Sequence, residues 1–129
     1  MNKEEIKQLI TDTVNETVVK LQAVGLLKDS TLTAYEKTEA LLWKYTELQK
    51  AQTPYARRVV AEIDKCMADA ANEPYLDVIR LYYFAGLKNA ACAKTLVCGE
   101  RTARRHRTAL VERFSVRLAS DEFIRELLQ

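Results

Sequence analysis

The chain has 129 residues, 48% of them hydrophobic and 29% charged, and a formal net charge of +2. This balance describes a globular chain of one ordinary domain or two very small ones, not a disordered segment. With three glycines and two prolines there is too little turn chemistry for a many-stranded β fold, and no apolar run is long enough to span a membrane.

The opening MNKEEIKQ is polar and of mixed charge, unlike a secretory signal. A cytoplasmic, all-α helical bundle is expected. Ile6, Leu9, Ile10, Val14, Val18 and Leu21 recur every three or four residues, which predicts a first helix over 3–24 stopped by Gly25. That helix could pack internally or pair with another copy of the chain. Thr33-Ala-Tyr-Glu36 has the spacing of a capping box, with Leu32 as a staple residue. It predicts a second helix over 34–50 with Thr38, Leu41, Leu42, Tyr45 and Leu48 inward. Thr53-Pro54 opens a third helix to about Ala71. Asn72-Glu73-Pro74 opens a fourth, from Tyr75 to Ala85, closed by Gly86.

A short helix over 89–96 follows, then a three-residue break at Val97-Cys98-Gly99, then a longer helix from Glu100 to about Ala119. Short helix, tight turn and longer helix is the spacing of a helix-turn-helix. The chain thus divides into an N-terminal helical part, 1–72, for packing or oligomerisation, and a C-terminal part, 73–129, for binding.

Enzyme chemistry finds no footing. Cys66, Cys92 and Cys98 form no C-x-x-C pair, and the single histidine, His106, completes neither a zinc site nor a nucleophile–base pair. No phosphate-binding loop or dinucleotide fingerprint is present. The expectation is a protein without catalytic residues, metal or cofactor.

Charge points elsewhere. Residues 1–72 carry ten basic and eleven acidic side chains, whereas residues 73–129 carry ten and seven. Within 99–117 six arginines stand against only Glu100 and Glu112. Arginine's rigid fork suits phosphate and guanine. At about 100° per residue, Ala103, His106, Ala109, Leu110 and Phe114 share one side of the last helix. Arg101, Arg104, Arg105 and Thr108 share the other, and Arg107 and Arg113 fall on the flanks, within reach of backbone phosphates.

The run Val78-Ile79-Arg80-Leu81-Tyr82-Tyr83-Phe84-Ala85-Gly86-Leu87, followed by that helix pair, resembles region 4 of sigma-70-type factors. The chain is similar in more detail to the ArpU and RinA-like phage transcriptional regulators. Thr102, Arg105, Ala109-Leu110 and Phe114 match their C-terminal pattern, and Tyr35-Glu36-Lys37-Thr38 through Tyr45 matches their upstream element. The resemblance covers residues 33–119. It implies a helical bundle with a C-terminal sigma-70 region 4-like helix-turn-helix, and a phage or prophage DNA-binding transcriptional regulator working in the cytoplasm of a bacterial host. On this reading Arg101, Arg104 and Arg105 contact guanine edges or phosphates. Glu100 accepts from a cytosine amino group, and Lys88, Lys94 and Thr95 hold phosphates. A monomer offers few contacts, so a homodimer on paired half-sites, or assistance from RNA polymerase, is expected. Two alternatives stay open: a sigma-like module that binds RNA polymerase or another protein without sequence-specific DNA contact, and a small terminase-like packaging subunit.

Overall fold

The structure is a computed structural model that describes residues 2–9, 24–51 and 53–128. Among them every regular element is helical, and none is long and apolar enough to cross a membrane. Most of the helix expected over 3–24 lies outside the described residues. Residues 3–9 are helical, and the Asn2 side chain accepts from the Glu5 N–H at 2.8 Å. Gly25 is not a stop, because residues 24–28 are helical through it and bury Leu27. The chain turns at Asp29 instead. Its Oδ1 accepts from both the backbone N–H (2.9 Å) and the hydroxyl (2.6 Å) of Thr31, and these bonds hold the carboxyl below its ordinary range.

Helix α1, Ala34–Trp43, starts at the expected capping box: Thr33 Oγ1 and Glu36 Oε1 each accept the other residue's N–H at 3.1 Å. It does not continue to residue 50. Lys44 interrupts it, and α2 resumes over Tyr45–Ala51. The break lets two successive aromatic anchors dock separately. Trp43 packs against Tyr82 and Tyr83, with ring centroids 5.1 and 4.9 Å away, while Tyr45 stacks on Phe84 at 4.0 Å. The Tyr45 hydroxyl donates to Asp64 at 2.6 Å.

Helix α3, Pro54–Asp69, has proline in its first turn and Thr53 accepting from the Ala56 N–H at 3.2 Å. It buries Tyr55, Ala56, Val59, Ile63, Cys66 and Met67. Pro74 does not open the next helix. Tyr75 sits in the left-handed region (φ 64°), so α4 is only Asp77–Ile79. Residues Arg80–Phe84 are wound wider, as a π-helix closed by the Ala85 N–H on the Arg80 carbonyl at 2.8 Å. This winding carries three consecutive aromatic rings. Tyr82 and Tyr83 meet edge-on at 4.9 Å and both pack on Trp43, Phe84 goes to Tyr45, and Tyr83 is buried, where its hydroxyl donates to Glu39 at 2.6 Å. Burial and that carboxylate push the Tyr83 phenol upward. Gly86 then takes φ 74°, a conformation that a side chain would disfavour.

Helix α5 is Asn89–Leu96 and α6 is Glu100–Leu118. The chain does not end its regular structure at 119. Ser120 caps a further helix, α7, Asp121–Leu128, whose Phe123 and Leu127 are buried. Helix α6 packs against α1, α3, α4 and α5, and α2 packs against α3. One hydrophobic cluster runs from Leu27 through Leu42, Ile63 and Ile79 to Phe114 and Leu127. Residues from both sequence halves therefore share it. Cys66, Cys92 and Cys98 are free, and burial pushes the Cys66 thiol up to about 11.

Candidate nucleic-acid interface

The α5–α6 connection is the three residues read from the sequence, and its geometry is local. Leu96 ends α5, Val97 adopts φ 55° and ψ 53°, and the Cys98 N–H reaches back to the Ala93 carbonyl at 3.0 Å. This is how a left-handed residue closes a helix, a role usually taken by glycine. Valine is β-branched and disfavoured there, yet its side chain is 88% exposed, so no packing requires it. Gly99 then begins α6 from an extended conformation, and the Ala103 N–H returns to its carbonyl at 3.0 Å. Neither α5 nor α6 has a side-chain cap, whereas threonines cap α1 and α3.

On α6 the inward stripe is Ala103, Leu110, Val111, Phe114 and Leu118, each at most 4% exposed. Arg101, Arg104 and Arg105 are exposed on the other side, with Thr108 half-buried among them. Among the described residues these three arginines enter no ion pair. With Thr108, Ala109 and Glu112 they line a shallow depression of about 470 Å³. Glu100 stands exposed in the first turn, where the helix dipole favours an acidic side chain. Lys88 is exposed at the start of α5, and Lys94 and Thr95 are exposed in its last turn. The Thr95 hydroxyl donates to the Ala91 carbonyl at 2.9 Å, leaving its oxygen free to accept.

His106 is half-buried, with its ring 4.8 Å from that of Tyr75. Three positions depart from the helical wheel. Ala109 is exposed and belongs to the arginine face. Arg113 is not presented to a ligand. It donates to Glu73 Oε1 at 3.0 Å and to the Asp69 carbonyl at 2.9 Å, and with Arg117, which pairs with Glu62 and Asp69, it pins α6 to α3 and the turn after it. Arg107 is not on a flank. At about 100° per residue it stands about 40° from Ala103 and about 20° from Phe114, in the middle of the packed side. Its guanidinium carbon lies 3.8 Å from the centre of the Tyr82 ring.

The arginine face therefore comprises Arg101, Arg104, Arg105, Thr108, Ala109 and Glu112. Ala109 and Glu112 were legible in principle, since they continue the exposed stripe at spacings of four and three from Arg105 and Ala109. No protein-family model, curated protein or solved structure matches the chain. Among the described residues no three histidine, cysteine or acidic side chains are grouped to hold a metal ion.

Proposed function

We propose that this protein binds duplex DNA, with the first turns of α6 in the major groove, and that it serves as a transcriptional regulator of the phage or prophage type its sequence resembles. One observation carries the reading: Arg101, Arg104 and Arg105 project together from the start of a helix that follows a three-residue turn, and among the described residues none of them is in an ion pair. A major groove admits one helix, and the N-terminal residues of such a helix meet the base edges. Arginine is suited to the guanine O6/N7 pair, Glu100 to a cytosine amino group, and Thr108 to either. Lys88 just before α5, and Lys94 and Thr95 on it, would take backbone phosphates and set the register. The uncapped N–H groups at the starts of α5 and α6 are compatible with phosphate acceptors. Because the face is short, the proposal includes two copies on paired half-sites, or recruitment together with RNA polymerase.

Selection of bound duplexes from a random pool tests this directly. A recurrent site containing guanine, bound with an affinity that falls steeply with salt, is the expected result. Absence of any binding at about 50 mM salt would overturn the proposal, because phosphate contacts are strongest there.

A further inference from the structure

Arg107 stands in the middle of the packed side of α6, half-buried, with part of its guanidinium withdrawn from water. Its Nε is buried without a hydrogen-bond partner, its guanidinium carbon lies 3.8 Å from the Tyr82 ring centre, and its Nη1 donates to Asn89 Oδ1 at 3.4 Å. Asn89, the first residue of α5, in turn donates through Nδ2 to the Glu100 carbonyl at 3.2 Å, at the first residue of α6. These contacts close a loop. It runs from the second turn of α6 to the start of α5 and back to the start of α6, and Tyr82 of the π-helix is clamped against its side. The two turns enclosed are those that carry Arg101, Arg104 and Arg105.

An apolar residue of similar volume would fill this position without the desolvation of a guanidinium, so packing alone does not account for an arginine. We infer that Arg107 is a positioning residue: it contacts no nucleic acid, and it fixes the start of α6 against α5 and the π-helix so that the three exposed arginines hold one spatial arrangement. This rests on the DNA-binding reading for its functional consequence, though not for its structural part. A positioning contact acts on discrimination, because base readout needs the donors in one geometry while phosphate attraction tolerates displacement.

The test uses the full chain carrying Arg107→Met, which keeps the volume, and Arg107→Lys, which keeps the charge but loses the planar fork. In the free protein, amide hydrogen exchange at Cys92 and Ala103, the first-turn amides bonded to the Lys88 and Gly99 carbonyls, is expected to quicken in both variants, with the melting temperature of Arg107→Met no lower than that of the wild type. Affinity for the duplex enriched by the wild type is expected to fall about tenfold in both. Affinity for random-sequence duplex, and the salt slope, are expected to stay as they were. A slope reduced by about one unit would make Arg107 a phosphate contact and overturn the inference. So would parallel losses of melting temperature and binding, or unchanged exchange and binding. If the wild type enriches no duplex, the DNA-binding reading fails on its own, and the exchange measurement alone decides whether Arg107 orders the start of α6.

Discussion

Replacing Val97 with glycine should make the protein more stable, although the substitution removes a side chain. Val97 occupies φ 55° and ψ 53° and is 88% exposed. Holding an L-residue in the left-handed region costs about 1–2 kcal/mol, and a β-branched residue lies at the upper end of that range. Glycine removes this strain but adds about 0.5–1 kcal/mol of backbone entropy lost on folding. With so little of the valine buried, the hydrophobic loss is small. The balance is a gain of about 0.5–1 kcal/mol, or a rise in melting temperature of about 2–5 °C for a chain of this length. Thermal and urea unfolding of Val97→Gly, with Val97→Ala alongside, measure it. Alanine keeps the Cβ that causes the strain and should recover little of the gain. A Val97→Gly variant less stable than the wild type, or a Val97→Ala variant that gains as much, would mean that the strain does not arise from a left-handed backbone at this turn.

Leu110→Ala and Arg104→Ala should separate stability from binding: Leu110 is 4% exposed, so its loss costs about 2–5 kcal/mol, while Arg104→Ala stays within about 0.5 kcal/mol and weakens duplex binding measured by anisotropy. Removing Arg101 should lower the slope of log K against log salt by about 0.9 if it neutralises a phosphate. Arg113→Ala should leave the slope unchanged, because both terminal nitrogens of Arg113 are already bonded to Glu73 and Asp69; an equal change in both would show that Arg113 leaves its partners to meet DNA. Burial and the Asp64 carboxylate push the Tyr45 phenol up to about 12, above its ordinary value near 10. The folded state therefore favours the protonated phenol, and the stability this contributes is complete below about pH 10 and lost as pH rises through about 12. Denaturant unfolding of the wild type and Tyr45→Phe at increasing alkaline pH should show their difference changing over that window; a constant difference would mean that the phenol does not titrate with folding.

The starts and stops that depend on a few neighbouring residues were legible in the sequence. The Thr33–Glu36 box, the Thr53-Pro54 start and the Val97–Gly99 break all stand where their residues predict, because a cap or turn is satisfied within about one helical turn of itself. The exposure of Arg101, Arg104 and Arg105 was legible too, since an uninterrupted helix carries its period along with it. The Asp121–Leu128 helix carries the same kind of signal, a serine followed by two acidic residues and then Phe123 and Leu127 at a spacing of four.

The remaining features depended on contacts between residues far apart in the chain. The break at Lys44 and the π-helix at Arg80–Phe84 belong to one arrangement, in which Trp43 and Tyr45 each find an aromatic partner about forty residues away. Neither segment shows it alone. The same holds for Arg113, whose partners Glu73 and Asp69 lie on another helix and the turn after it, and for Gly25, which stays helical while Leu27 is buried. By itself the sequence determined an all-helical chain, the caps that delimit α1 and α3, the three-residue turn and the arginine face beyond it. Only the tertiary structure decided which arginines remain free to meet a ligand. A guanidinium on the packed side is either bonded to the groups that fold against it or desolvated at high cost, and those groups are brought there by the fold, not by their place in the sequence.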